Sequence, residues 1–160
     1  MATLRLPLAG AADTARLGAA LAALVRPGDL VALKGDLGAG KTCLTQHLGA
    51  ALGVPASCPI TSPTFAIIHE YPGRLPLVHI DLYRLESEAA IVATGVPDYL
   101  NSTAVVVVEW SERLGSLLPP ERLEIELRYQ EGGGRQAILT AQGHDWPERL
   151  TRLAQALEAG

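Results

Sequence analysis

The sequence predicts a three-layer α/β domain with a mainly parallel central sheet and antiparallel edge strands, and three features carry that reading. A short apolar strand from Asp29 to Lys34 runs into a glycine-rich segment, Gly35 to Gly40, and then into a helix from about Lys41 to Leu52, with Gly53 beyond its end. Val105 to Val108 are four consecutive valines, apolar on both sides, as suits a strand covered on both faces of a parallel sheet. Arg122 to Gln130 and Arg135 to Gln142 alternate in polarity around Glu131-Gly132-Gly133-Gly134, the pattern of an antiparallel hairpin.

Taken from the N-terminus, Thr3 to Leu8 alternates as a strand. Asp13 or Thr14 then caps a helix whose Leu17, Leu21, Leu24 and Val25 recur at helical spacing, ending before Pro27 and Gly28. Beyond the Lys41 helix, strands are predicted at Phe65 to Glu70, Leu77 to Asp81 and Ala104 to Glu109, the last as the central strand of the sheet. Glu86 to Leu100 holds short helical pieces broken by Gly95 and Pro97. The hairpin extends the sheet at one edge. A closing amphipathic helix spans about Pro147 to Leu157, with Leu150, Leu153, Ala154 and Leu157 on one face.

At 160 residues, 48% hydrophobic and 19% charged, the chain suits a single domain over residues 1–160 with a sizeable core. No apolar run approaches the roughly 18 residues that span a bilayer, so no membrane association is expected. Asp13 and Arg16 interrupt the N-terminal apolar stretch, which argues against a secretory leader and for a cytoplasmic protein. Cys43 and Cys58 would make a poor disulfide framework and are expected to be free. The four histidines show no zinc spacing with them. A formal net charge of −4 argues against a protein that grips nucleic acid by its own basic surface.

Gly35-Asp36-Leu37-Gly38-Ala39-Gly40-Lys41-Thr42 fits the phosphate-binding pattern G-x-x-x-x-G-K-[ST], in the strand–loop–helix context that the pattern requires. Glycines let the backbone turn successive N–H groups inward, and the helix N-terminus adds partial positive charge to this cradle. In such a P-loop, Lys41 reaches the β- and γ-phosphates and the Thr42 hydroxyl ligates Mg²⁺. Cys43 follows at the helix start, as a small packing residue whose thiol pKa such a terminus can lower.

Hydrolysis needs acids near the carboxyl ends of neighbouring strands, to hold Mg²⁺ or position water. Asp81 ends Leu77-Val78-His79-Ile80, and Glu109 ends the valine run; either can be the nearer to the metal. His79 shares a strand face with Asp81 and is read as a supporting histidine. Ser62-Pro63-Thr64 lies where a loop could close on the γ-phosphate, although such a tripeptide is also ordinary turn chemistry. Trp110 follows Glu109 and offers an indole to the nucleotide, to a partner or to the core. For Arg84, phosphate contact and a surface ion pair remain equally open.

Together the phosphate loop, Ser62-Pro63-Thr64-Phe65, His79-Ile80-Asp81-Leu82-Tyr83-Arg84-Leu85 and Val108-Glu109-Trp110 resemble the TsaE family, bacterial ATPases that support threonylcarbamoyladenosine formation on tRNA. The resemblance spans nearly the whole chain, including Asp13-Thr14, and is weaker in the strand-rich C-terminal part. Cys43 stands where the family often has Thr, and Glu86 to Leu100 is looser than the motifs. It implies ATP and Mg²⁺ as cofactors, and Asp13, Thr14, Gly35 to Cys43 and Trp110 as the nucleotide site. It further implies a switch-like Ser62-Pro63-Thr64, with Thr42, Asp81 and Glu109 at the metal and Lys41, Asp81 and Glu109 serving hydrolysis. TsaB and TsaD are the implied partners, tRNA being met only through them.

The leading expectation is therefore a Mg-dependent ATPase, weak alone and stimulated by partners. A small-molecule or nucleotide kinase is the alternative, although Glu86 to Leu100 supplies no lid arginine. A nucleotide-binding module without turnover is a third class, disfavoured by Asp81 and Glu109. A GTPase is disfavoured because no Asn-Lys-x-Asp segment occurs.

Overall fold

A computed structural model describes residues 2–36, 38–63 and 66–159. Leu37 of the phosphate loop, Thr64 of the switch-like tripeptide and Phe65, the expected start of a strand, lie outside the described residues. The elements run β1 (Ala2–Leu8), α1 (Ala11–Leu24), β2 (Leu30–Gly35), α2 (Lys41–Ala51), β3 (Ile68–Tyr71), β4 (Leu77–Asp81), α3 (Glu88–Ala93), α4 (Val96–Leu100), β5 (Val105–Glu109), a 3₁₀ segment (Ser111–Leu117), β6 (Arg122–Tyr129), β7 (Arg135–Gln142) and α5 (Trp146–Ala159).

The described strands form one sheet in the order β1-β7-β6-β2-β5-β4-β3. β6, β2, β5 and β4 are mutually parallel, while β7 and β3 pair antiparallel to their neighbours. The predicted three-layer α/β fold is thus the one observed. Antiparallel pairing, expected at one edge, occurs at both, because β3 turns back on β4 at the far side. β5 is interior and flanked by parallel strands, as its valines demanded, but the middle position belongs to β2.

Alternation along each strand divides the apolar side chains between two cores. Val31, Leu33, Val105, Val107, Leu123 and Ile125 pack beneath α1, α2 and α5. Val78, Ile80, Val106 and Val108 face the other way, onto Ile91 of α3, Val96 of α4 and Leu114 of the 3₁₀ segment. α1 and α2 approach closely at Gly18, where a Cβ would come within 2.8 Å of His47 Cβ and 2.9 Å of the Leu48 nitrogen. At one edge of the first core, Arg149 of α5 clamps Asp29 with two hydrogen bonds, at 2.5 and 3.0 Å, and stacks on Trp146.

Two local expectations are corrected. α1 is not capped by Asp13 or Thr14: Gly10 is its N-cap, and Asp13, in the first turn, reaches back so that Oδ2 accepts the Ala9 N–H at 2.9 Å. Thr14 is buried in the helix. Pro97 does not break a helix but lies in the first turn of α4, where its missing N–H costs no intrahelical bond. The 3₁₀ segment after β5 carries no amphipathic period and was not anticipated from the sequence.

Candidate functional site

The site forms where β2, β4 and β5 end together. Asp81 and Glu109 are register partners at the carboxyl ends of two adjacent parallel strands, so both side chains leave the sheet on one face. That face is the one covered by α2. Asp81 and Glu109 are both buried, as is His79, which projects from the same side of β4. A cleft of about 680 Å³ opens above them, walled by Gly38 and by Gly40 to Cys43 on one side and by Tyr83 and Trp110 on the other.

The glycine-rich segment owes its path to backbone freedom. Gly35 adopts φ 147°, and a Cβ there would lie 2.8 Å from the Leu127 carbonyl oxygen of β6, so no other residue fits. Ala39 N–H bonds the Asp36 carbonyl at 3.0 Å, closing a turn that delivers the chain into α2. α2 starts without a side-chain cap and without an acidic residue in its first turn. Its first N–H groups therefore stand at the cleft end of the helix without a side-chain cap or an acid of their own first turn.

Lys41 stands at that terminus with only 6% of its surface exposed. Its ammonium donates to the carbonyl oxygens of Gly35 and of Asp36, the latter at 3.2 Å, and lies 5.2 Å from the centre of the Trp110 ring. A buried cation resting on carbonyl dipoles and an indole face, at the positive end of a helix, is a group in want of an anion.

The acids are held by different means. Asp81 Oδ2 accepts the Ser62 hydroxyl at 3.1 Å, and Oδ1 accepts the Tyr83 N–H at 2.9 Å, so the Ser62 loop is tied to the acid. Glu109 Oε2 meets His79 Nε2 at 2.5 Å. Thr42, Asp81 and Glu109 together offer a hydroxyl and two carboxylates, an all-oxygen donor set that fits Mg²⁺, an ion that takes few protein ligands and keeps waters. Among the described residues no group of three or more histidines, cysteines or acids could hold a metal ion.

The backbone reverses at Trp110, which takes a left-handed conformation at φ 59°, unusual for a bulky residue. The turn carries the indole back over the cleft, where it contacts Tyr83 at 5.1 Å between ring centres. Arg113 packs 5.3 Å from Trp110, and its guanidinium donates to the carbonyls of Tyr83 and Leu85. That arginine holds this wall. Cys43 is a half-buried free thiol on the cleft.

Asp13 and Thr14 stand outside the cleft lining. Asp13 instead lines a separate depression with Arg16, although the entry to α1 abuts the hairpin, where a Cβ on Gly134 would lie 3.2 Å from the Leu8 carbonyl oxygen. The residue after Gly134 is one that sequence reasoning missed. Arg135 lines the cleft, donates to the Gly38 carbonyl at 3.2 Å and stacks on Tyr129, whose hydroxyl donates to the same oxygen at 2.6 Å. The hairpin thereby braces the loop. The cross-strand pairing of Tyr129 with Arg135 follows from the alternating pattern, but the approach to Gly38 depends on β6 lying beside β2.

Fold and cleft together define a three-layer α/β protein whose site lies at the carboxyl ends of its parallel strands. The model of the family described as "Threonylcarbamoyl adenosine biosynthesis protein TsaE" matches residues 8–137. The chain is similar to the tRNA threonylcarbamoyladenosine biosynthesis protein TsaE of Treponema pallidum, at 42% identity over 79% of this chain and 92% of that protein. The protein of that name from Bacillus subtilis is 38% identical over 88% of this chain and 89% of its own length. The crystal structure of Bacillus subtilis YdiB superposes with a TM-score of 0.80 at 33% identity, covering 96% of this chain and 95% of that one. The chain belongs to the TsaE family, a family of tRNA threonylcarbamoyladenosine biosynthesis.

Proposed function

We propose that this chain binds ATP with Mg²⁺ in the Lys41 cleft and hydrolyses it, weakly alone and faster beside the TsaB–TsaD complex on which it acts. The observation that supports this most is Lys41 itself: a buried ammonium at a helix N-terminus without a side-chain cap, partnered among the described residues by carbonyl oxygens and an indole face. A polyphosphate answers both needs at once.

In this reading the backbone N–H groups around Gly40 to Thr42 cradle the phosphates, and Lys41 leaves Gly35 and Asp36 to meet the β- and γ-oxygens. Thr42, Asp81 and Glu109 are the residues that would hold Mg²⁺, which when bound offsets phosphate charge. Either carboxylate serves to orient the attacking water and take up its proton. Arg135 adds a second cation at the rim, already directed at the loop through Gly38. Trp110 and Tyr83 shield one side from bulk water.

Hydrolysis would remove the γ-phosphate from the neighbourhood of Ser62, whose hydroxyl is tied to Asp81, and so change the loop that Ser62 belongs to. That change would be read by the partner. With a net charge of −4, the chain meets tRNA only through the complex. No helix among the described residues is long and apolar enough to cross a membrane.

The test is phosphate release from ATP by the purified protein, alone and with TsaB and TsaD, with Lys41→Ala as the blank. Turnover that rises with the partners and disappears in the variant supports the proposal. Stoichiometric transfer of phosphate to a small acceptor would replace it with the kinase reading.

A further inference from the structure

His79 is completely buried on β4, and among the described residues its ring makes one hydrogen bond, from Nε2 to Glu109 Oε2 at 2.5 Å. Its other nitrogen, Nδ1, is buried and has no hydrogen-bond partner among the described residues. That is an unusual arrangement, because buried polar atoms are nearly always satisfied and an apolar side chain in this position would avoid the orphan. Whatever the ring contributes must come through Glu109.

Glu109 needs such a support. Its carboxylate sits on three rotatable bonds at the end of a strand, facing a cleft some 680 Å³ in volume that Lys41 also lines. Asp81, its register partner, is fixed through both oxygens by Ser62 and the Tyr83 N–H. Among the described residues Glu109 is held through Oε2 alone. A carboxylate accepts and does not donate, so the proton on the shared bond is carried by Nε2, and the ring pins one oxygen while leaving the other directed to the cleft.

Building on the hydrolytic reading above, we propose that His79 is a positioning residue for Glu109: its Nε2–H holds one carboxylate oxygen so that the other is presented to Mg²⁺ or the attacking water in a single orientation. His79 touches neither nucleotide nor water. Its effect is therefore on metal affinity and turnover, and not on the grip of the phosphate loop on ATP.

Four variants separate this role from a packing role. His79→Leu fills the space without a donor, and His79→Gln restores an N–H of similar reach. Turnover with partners should fall about 10–100-fold in the Leu variant, the range typical for removing a residue that orients a metal ligand, and recover to within a few-fold in the Gln variant. Mn²⁺ affinity with ATP bound, read by electron paramagnetic resonance, should follow the same order. ATP affinity measured in EDTA should stay within about twofold of wild type in both, as the phosphate cradle is untouched. Glu109→Ala combined with His79→Leu should be no worse than Glu109→Ala alone.

Wild-type turnover and Mn²⁺ affinity in the Leu variant would overturn the assignment and leave the ATPase reading standing. So would a Gln variant that keeps its fold by circular dichroism yet fails as the Leu variant does. A wild-type protein that neither hydrolyses ATP nor retains Mn²⁺ would overturn both readings.

Discussion

Replacing Lys41 by Met keeps the aliphatic stem and removes the charge, which separates the lysine's two roles. In the free protein the ammonium is buried at a helix N-terminus, where the dipole opposes it, so its removal leaves the melting temperature unchanged or raised. With ATP the sign reverses. A ligand at one hundred times its Kd stabilises by about 2.7 kcal/mol, which is about 5–11 °C in Tm at the 2–4 °C per kcal/mol usual for a domain of this size. Loss of hydrogen bonds from a charged donor removes about 1.5–3 kcal/mol of binding, or about 10–150-fold in Kd. At the same ATP concentration the variant then keeps only about 0.3–1.4 kcal/mol of stabilisation, a rise of about 1–6 °C. The assay is a thermal melt of both proteins with and without Mg-ATP. A variant that melts several degrees below wild type when free, yet shifts with ATP by the wild-type amount, would refute the reasoning.

Other perturbations test other parts of the structure. Glu109→Ala and Asp81→Ala should each lower ATP turnover by about 100-fold, as for loss of a residue that handles the water's proton, while calorimetry finds ATP affinity altered far less. Gly35→Ala should cost about 1–3 kcal/mol from its φ of 147° alone, with more from the Leu127 oxygen at 2.8 Å, and show as a lower denaturant midpoint. Asp29→Ala strips a largely buried partner from Arg149 and should destabilise by about 3–5 kcal/mol, with Asp29→Ala/Arg149→Met recovering part of the loss in the same urea titrations. Glu121 accepts the His144 N–H ahead of α5, and that bond holds its carboxyl below the ordinary carboxylate range. A lowered folded pKa gives stability that is present above the unfolded value and lost as pH falls through the folded one. Glu121→Gln should accordingly lower Tm at pH 7, with the difference closing once both states of wild type are protonated in acid.

The parts of this protein that were legible from its sequence are those set by local pattern. Valine runs and alternation placed β4, β5, β6 and β7 within a residue or so, and the strand–loop–helix order placed the cleft. Where a local signal had two uses, its meaning was decided by neighbours. Asp13 has the chemistry of an N-cap, but in the first turn it accepts an N–H from the preceding loop instead. Pro97 has the chemistry of a breaker, yet proline is equally at home in a helical first turn.

The remaining features are products of strand order. Arg135 reaches Gly38 across 97 positions because β7 follows β6 and β6 lies against β2. His79 meets Glu109 only because β4 and β5 are parallel in a register that pairs Asp81 with Glu109. Neither contact is written in spacing along the chain. The left-handed turn at Trp110 is likewise invisible in composition, since tryptophan does not favour it.

The central claim is that the Lys41 cleft holds a nucleotide by its phosphates. A crystal structure of the protein grown with Mg²⁺ and a non-hydrolysable ATP analogue tests that most directly. The account predicts that Lys41 Nζ moves off the Gly35 and Asp36 carbonyls to lie within about 3 Å of a phosphate oxygen, a normal charge-assisted hydrogen bond. It also predicts metal density beside Thr42 Oγ1. Analogue at saturating concentration with Lys41 still on those carbonyls, and phosphates bound elsewhere or not at all, would contradict it.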